Sequence, residues 1–343
     1  MISIIPLERM DKEAYSQLLA SCENTLIYVD LNYLNAISEY TNSELYFVQD
    51  TIDNKIISAL PFCVYFGLYG PVINSLPFYG SNGGIVSRDK GILNSDLVID
   101  ALLEFAKNIK CVSATIVESP LNIMDSRLLS KFSYQDSRIS LLNYFEPGMD
   151  SSNLLESFQD PRPRNIRRAL KEGVEVRESH SLESMHFLAE THIKNISSIG
   201  GNAKKYDFFE FIYKKLPTNQ WIILEAFVSS KRIASLLLLY NKEVIEYFTP
   251  ATLLEYRNLQ AQSLLIFQGM IFAIENNIRI WNWGGTWDSQ KGVYEFKKKW
   301  GPVESKYKYY CAIFEESILY REKSTLIQLY PNFYVAPFQE LKV

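Results

Sequence analysis

The 343-residue chain is poor in the residues that bind metals or form disulfides. It has three histidines and four cysteines. Cys22, Cys63, Cys111 and Cys311 make no Cys-x-x-Cys pair or other metal-ligand spacing, so no metal site and no dithiol redox centre is expected. Cys63, Cys111 and Cys311 lie in apolar or strand-like surroundings, as free thiols of a reducing compartment do. His180, His186 and His192 sit in or beside one helical stretch and have no serine or cysteine partner that would build a nucleophilic triad. The patterns GxGxxG and GxxxxGK[ST] are missing, which removes the dinucleotide fold and the P-loop. No window comes near the ~18 apolar residues of a membrane span, and the opening MISIIPLERMDKEAY lacks the long apolar run of a signal peptide. A cytoplasmic protein without a membrane span is expected. Excess positive charge is also absent: 35 Lys+Arg stand against 39 Asp+Glu, a net charge of −4. DNA is therefore not an expected partner, and an RNA contact would have to use a local patch.

What is present is apolar and aromatic. Hydrophobic residues make up 47% of the chain, with 22 Tyr and 20 Phe, enough for two full cores or one large one. The densest stretch is Trp281 to Gly301, WNWGGTWDSQKGVYEFKKKWG, with four Trp, four Gly and four Lys. Ile278 to Trp281 alternates and is β-branched or aromatic, so it reads as a strand. Gly284-Gly285 ends it. Val293 to Trp300 reads as a short helix stopped by Gly301 and Pro302. A strand whose carboxyl end opens into a glycine turn is a common ligand position in α/β proteins. A tight turn with core tryptophans and a solvated lysine face fits the same residues.

The remaining pattern gives two halves of similar element order. In the first, strands are expected at 3–7, 45–48, 55–64, 112–117 and 138–145, with helices at 12–20, 31–40 and 95–108. Residues 66–85, FGLYGPVINSLPFYGSNGGI, read as loop-rich. The run around Tyr79 and Asn82 can present amides to an anion or form an irregular, bulged strand. Glu146-Pro147-Gly148 breaks the chain, and this sets the expected domains at 1–150 and 151–343. In the second half, Arg164, Arg167, Arg168 and Lys171 fall at i, i+3, i+4 and i+7, one basic helical face. Strands are expected at 174–177, 221–228, 231–240, 243–248 and 306–314, with helices at 181–194, 206–215 and 260–275. FAKN-IKCVSATIV from Phe105 aligns with FAIENNIRIWNW from Phe272, each a helix end, an Asn-containing turn and a strand. One domain used twice would produce this pattern.

The element order of the second half resembles the GNAT acyltransferase domain, and two such halves resemble the Fem-type transferases and related bacterial N-acyltransferases. The most specific residues are Asn282-Trp283-Gly284-Gly285-Thr286 and Gly292-Val293-Tyr294-x-Phe296-Lys297-x-x-Trp300-Gly301. Arg164-Asn165-Ile166-Arg167-Arg168-Ala169 with Gly173-Val174, and Ile199-Gly200-Gly201, support them. The resemblance implies an α/β fold, a mixed sheet of the α+β type, in two tandem GNAT-like domains. It implies an acyltransferase that forms an amide on an amine of a cell-surface precursor, either an amino-sugar nucleotide or a peptidoglycan precursor. The donor is then an aminoacyl-tRNA or an acyl-CoA used as co-substrate, with no tightly bound cofactor. Gly70-Pro71-Val72-Ile73-Asn74 is similar to a Fem loop that usually ends in Asp, and Asn74 weighs against a general base there. The position of the coenzyme A pyrophosphate loop reads Leu254 to Ala261 and has no glycine, so side chains would crowd an amide cradle.

Within that reading, Lys297 and Tyr294 can donate to the oxyanion or leaving group of an acyl transfer, and Asp288 can orient the incoming amine. Lys297 is otherwise one of the solvated run Lys297 to Lys299, and Asp288 an exposed loop carboxylate. Trp283 and Trp287 either wall the acyl or sugar site or belong to the core. Gly284, Gly285, Phe296, Tyr79 and Asn82 are the further candidate substrate contacts. Arg164 and Arg168 suit a diphosphate or simply face water. The rival function is a non-catalytic module that holds a nucleotide sugar in its glycine loops.

Overall fold

The computed structural model describes residues 1–23, 25–77, 83–88, 95–122, 130–287 and 290–342. In chain order it contains β1 (Ile2–Pro6), α1 (Lys12–Ser21), α2 (Leu31–Tyr40), β2 (Glu44–Ile52), β3 (Lys55–Gly67), β4 (Gly70–Asn74), β5 (Val86–Ser87), α3 (Ser95–Asn108), β6 (Ser113–Val117) and β7 (Tyr134–Tyr144). There follow α4 (Ser151–Glu156), α5 (Arg162–Lys171), β8 (Glu175–Ser179), α6 (Leu182–Ser197), α7 (Tyr206–Lys215), β9 (Trp221–Val228), β10 (Lys231–Asn241), β11 (Val244–Thr252), α8 (Ala261–Glu275), β12 (Ile280–Asn282), α9 (Lys291–Lys298), β13 (Val303–Ile313) and α10 (Lys323–Leu329).

The chain forms two units built on one plan. In the first, β1 pairs with β2, and β2, β3 and β4 make an antiparallel meander. After α3 the chain returns as β6, parallel to β4. In the second, β8 pairs with β9, and β9, β10 and β11 make the meander. After α8 the chain returns as β12, parallel to β11. The short repeat seen in the sequence is the joint between the return helix and the return strand. Lys110 and Asn277 occupy equivalent positions and both are left-handed, at φ +57° and +58°. Cys111 N donates to Ala106 O and Ile278 N to Ala273 O, each at 2.8 Å; Lys110 N reaches Lys107 O at 3.0 Å and Asn277 N reaches Ile274 O at 3.1 Å. Both joints are therefore the same helix-ending motif, in which a left-handed residue satisfies the last free carbonyls.

The expected cut at 150 is corrected. One unit comprises Met1–Arg138 and Lys306–Val343, the other Ile139–Ser305. The reason is strand pairing. Residues 142–144 at the end of β7 pair with β12, so this segment belongs to the second unit. Residues 309–313 of β13 pair with β6, and Ile318, Leu326, Tyr330, Phe333 and Val335 of the tail enter the first unit's core. The loop-rich reading of 66–85 is corrected as well for Gly70–Asn74, which is β4, hydrogen-bonded on both sides by β3 and β6.

The second unit carries the Trp281 to Gly301 stretch. Helices α5 and α8 pack on one face of its sheet, with Trp281, Trp283 and Trp300 buried among their residues. Leu236 and Leu238 of β10 join this cluster, and the intervening Leu237 and Leu239 are buried outside it, as a sheet covered on both faces requires. The turn between β9 and β10 uses Ser229 and Ser230 at φ +48° and +65°, the doubly left-handed geometry that matches strand twist. Gly301 stops the segment after α9 at φ +71°, and a Cβ there would lie 2.8 Å from Ser157 O. Gly284 is also left-handed, at φ +68°, with open space around it. Gly301→Ala should therefore cost about 1–3 kcal/mol of strain plus a backbone collision, while Gly284→Ala should cost only about 1–2 kcal/mol. Urea unfolding of both variants checks this; a milder loss for Gly301→Ala than for Gly284→Ala would contradict the close approach to Ser157.

Candidate active site

β11 and β12 share only three register pairs, Val244↔Ile280, Ile245↔Trp281 and Glu246↔Asn282. Past that point β11 continues beside β10 as far as Thr252. The chain after Asn282 follows β7 instead: Trp283 N donates to Leu141 O at 3.1 Å, and Ile139 and Thr286 form a bridge. The two strands thus part at Glu246 and Asn282, and the parted edges no longer share a ladder. Unpaired backbone of this kind at the carboxyl end of parallel strands is available to a ligand.

Asn282 holds the apex of the parting. Its Nδ2 donates to Glu246 Oε1 at 3.1 Å across the ladder, and its Oδ1 accepts from Gly284 N at 2.9 Å. The second bond sets the glycine turn. The turn in turn points its carbonyl at Lys297: Lys297 Nζ donates to Thr286 Oγ1 at 2.9 Å and to Gly284 O at 3.4 Å. Lys297 is 6% exposed, and no carboxylate among the described residues lies within ion-pair distance. Loss of water around the ammonium pushes its pKa from 10.5 down to about 8.

An aromatic platform places α9. Phe296 and Trp300, four apart, both meet Trp283, with ring centroids 6.4 and 5.8 Å away. Trp283 also meets Trp281 at 5.7 Å and Tyr247 of β11 at 5.0 Å. Asn143 ties the platform together: its Oδ1 accepts from Trp283 Nε1 at 2.7 Å and its Nδ2 donates to Trp300 O at 2.8 Å. With Phe296 and Trp300 anchored, helical geometry carries the intervening Lys297 onto Gly284 and Thr286.

The structure thus brings together Lys297, Gly284, Trp283 and Phe296 of the residues chosen from the sequence. It does not bring the others. The Tyr294 hydroxyl donates to Glu304 Oε2 at 2.6 Å, and the Lys298 ammonium lies 5.3 Å from its ring centroid, so Tyr294 faces away from the lysine network. Gly285 is exposed. Trp287 is 40% exposed, not a core residue. Arg164 and Arg168 face solvent, and Arg164 pairs with Asp160 at 3.7 Å. Tyr79, Asn82 and Asp288 lie outside the described residues. Asn74 is committed to structure: its Nδ2 donates to Tyr334 O at 2.8 Å and its Oδ1 accepts from Tyr334 N at 2.7 Å. The glycine-free stretch after β11 forms a short 3-10 helix, Leu254–Leu259, and the left-handed Gln260 precedes α8. That is not a run of open amides that would cradle a pyrophosphate.

Sequence reasoning missed two cations. Arg162 is buried and lies 4.2 Å from the Phe296 ring centroid; it stood outside the basic face because it precedes the helical spacing. Lys204 lies 5.0 Å from the ring centroid of Phe248, the β11 residue two past the parting. Burial pushes Lys204 down to about 8, and burial together with Lys204 pushes His192 down to about 4. The only signal for Lys204 was its place just after the Ile199-Gly200-Gly201 loop.

The sequence model of the FemAB family matches residues 223–307, the segment that runs from β9 into β13 and contains the lysine network. No curated protein matches the chain. Among solved structures, FemX superposes with a TM-score of 0.72 at 14% identity, covering 92% of this chain and 98% of that one. The C-terminal domain of a putative lysylphosphatidylglycerol synthetase from Agrobacterium fabrum gives 0.56 at 10% identity, over 93% and 98%. A tandem GNAT protein from the clavulanic acid biosynthesis pathway gives 0.54 at 10% identity, over 91% and 98%. The chain therefore has the FemAB/GNAT-like fold, with two tandem GNAT-like domains.

The desolvated ammonium has a measurable consequence. The unfolded chain holds a proton on Lys297 up to 10.5, the folded chain only to about 8. Between those values the unfolded state binds more protons, so this residue's contribution to stability rises with pH across that window. Below it the cost is complete, about 3 kcal/mol at about 1.4 kcal/mol per unit. Lys297→Met should then be more stable than the parent at pH 7, and the gap should shrink by pH 10. Chemical denaturation at the two pH values checks this; an unchanged gap would mean that the ammonium is not desolvated.

Proposed function

We propose that this chain is a cytoplasmic N-acyltransferase that forms an amide on an amine of a cell-surface precursor. The acceptor class is a nucleotide-linked amino sugar or a peptidoglycan precursor. The donor is an activated acyl or aminoacyl group, and aminoacyl-tRNA is favoured over acyl-CoA because the stretch from Leu254 to Ala261 offers no glycine cradle. The observation that carries the proposal is Lys297: a buried ammonium with no carboxylate partner among the described residues, held on Thr286 and Gly284 beside the parted strands.

The chemistry follows from that placement. A neutral amine attacks the acyl carbon, and negative charge grows on the carbonyl oxygen. The acyl–oxygen or acyl–sulfur bond breaks as the amide forms, and the proton given up by the amine ends on the departing alkoxide or thiolate. A charged donor preset in a water-poor site stabilises such charge without having to reorganise. Lys297 is mostly protonated at neutral pH, since about 8 lies above it, and its proton is easier to share than that of a solvated lysine. Trp283 and Phe296 exclude water from one side. The exposed face of Arg164, Arg167, Arg168 and Lys171 suits phosphate oxygens of the substrates. No helix among the described residues is long and apolar enough to cross a membrane.

Lys297→Met keeps the stem and deletes the charge. Transfer from an aminoacyl-tRNA to the amine acceptor should lose ~10²–10³ in kcat, with acceptor KM little changed. Lys298→Met, at an exposed position, should keep parent activity. Full activity of Lys297→Met would remove the charge-stabilising assignment. Thermal shifts with a uridine-linked amino sugar, coenzyme A and tRNA identify the ligands; a shift with the sugar nucleotide and no turnover with any donor would favour the binding-module reading.

A further inference from the structure

The last turn of α9 is closed from outside the helix. Helix ends leave carbonyls without intrahelical donors. Trp300 N is used by Lys297 O at 3.0 Å and Gly301 N by Lys298 O at 3.1 Å, so Phe296 O needs another partner. Arg162 supplies it: Nη2 donates to Phe296 O at 3.0 Å. The guanidinium carbon also lies 4.2 Å from the Phe296 ring centroid and 5.4 Å from that of Trp300. Gln159 N adds a bond to Lys299 O at 3.0 Å. Arg162 is 8% exposed and its Nε has no hydrogen-bond partner. No carboxylate among the described residues pairs with it. A buried guanidinium in that situation is answered by the negative end of a helix and by ring faces, and here these belong to the helix that carries Lys297 and to Trp300 just past its end.

We propose that Arg162 is a positioning residue for the transfer: by capping α9 at Phe296 and stacking on Phe296 and Trp300, it fixes the adjacent Lys297 against Gly284 and Thr286. The proposal rests on the reading of Lys297 as the charge-stabilising donor, and it adds what keeps that donor in place. A side chain that merely filled space would not need a charge, because an apolar residue of that volume packs there without the desolvation cost of an ion. An arginine at this position is worth its cost only if orientation of the helix end matters.

The test uses Arg162→Gln and Arg162→Lys in the full chain, with folding checked by circular dichroism. Arg162→Gln should lower kcat roughly 10²-fold, the scale of a catalytic group misplaced by about 1 Å, while acceptor KM stays within about twofold. The double variant Arg162→Gln/Lys297→Met should be no slower than Lys297→Met alone, because residues acting as one unit are not additive. Arg162→Lys, which keeps charge but cannot bond and stack together, should fall between parent and Arg162→Gln. A readout independent of turnover is competitive acetylation of Lys297 across pH, followed by mass spectrometry. The parent should titrate near 8, and Arg162→Gln should move toward the ordinary lysine value as the helix end loosens. If Arg162→Gln leaves both kcat and the Lys297 titration unchanged, or if the two losses simply multiply, the positioning role is wrong. If Lys297→Met keeps full activity, the donor reading falls, and the labelling experiment still decides whether Arg162 fixes Lys297.

Discussion

An ammonium taken out of water must be answered by dipoles or by a counter-charge, and among the described residues Lys297 is answered by dipoles. Its contacts are a threonine hydroxyl and the carbonyl of Gly284. Each contact has its own requirement. The Gly284 carbonyl is aimed by a left-handed turn at φ +68°, and the turn is set by Asn282 accepting from Gly284 N. Asn282 is placed by the last ladder rung before β11 and β12 part. The chain from Glu246 to Lys297 is thus one hydrogen-bonded sequence of constraints, and the lysine's low pKa is its chemical output. A carboxylate beside the ammonium would have made the site more stable and its proton harder to share.

The platform beneath that chain explains the unusual tryptophan content. Three indoles, Trp281, Trp283 and Trp300, are all but fully buried. Rings of this size each bury about 150–250 Å², which offsets the cost of keeping Asn143, Glu246, Asn282, Thr286 and Lys297 inside the same unit. The platform is also oriented by a specific polar tie, Asn143 between Trp283 Nε1 and Trp300 O. Close packing alone tolerates exchange among apolar residues of similar volume, whereas a tie of this kind selects one arrangement.

Legibility from the sequence followed the range of the signal. The other meander strands, the two return helices and the joints after Phe105 and Phe272 were legible because period, turn residues and helix ends are local; β4 was not, because its Gly70-Pro71 start reads as a turn. The Trp-Gly-Gly turn and Lys297 were legible because their residue types are rare together and resemble a known family. The unit boundary was not, since it depends on which strand β7 and β13 join, a matter of non-local pairing. Helical spacing selected Arg164 and Arg168, and both face water. Spacing reports a shared face but not what covers it. Arg162, two residues before that pattern, is the buried one, and its partners Phe296 and Trp300 are more than a hundred residues away in the chain. Tyr294 failed for a similar reason: the strand residue Glu304 returns beside it and takes its hydroxyl.

The duplicated plan also lets the ends of the two parallel strand pairs be compared. In the first unit, β4 and β6 are parallel and share three pairs, Val72↔Ser113 to Asn74↔Thr115, just as β11 and β12 do. Beyond the third pair the strands there stay tied: Ser75 N donates to Thr115 O at 2.9 Å, and Ser75 Oγ accepts from Val117 N at 2.9 Å. Asn74, at the end of β4, is bracketed by the backbone of Tyr334, with Phe333 and Val335 in the core beside it. The tail thus meets polar groups that a parting would have left free. In the second unit the chain after Asn282 turns toward β7 instead, and the end of β11 is met by a different element: Thr252 N donates to Asn195 Oδ1 at 3.0 Å and Thr252 O accepts from Asn195 Nδ2 at 2.9 Å. Free backbone at the end of parallel strands is costly unless something satisfies it. One copy satisfies it by keeping β4 and β6 tied through Ser75, with the tail bracketing the Asn74 side chain; the other parts its strands and meets the end of β11 with Asn195 of α6.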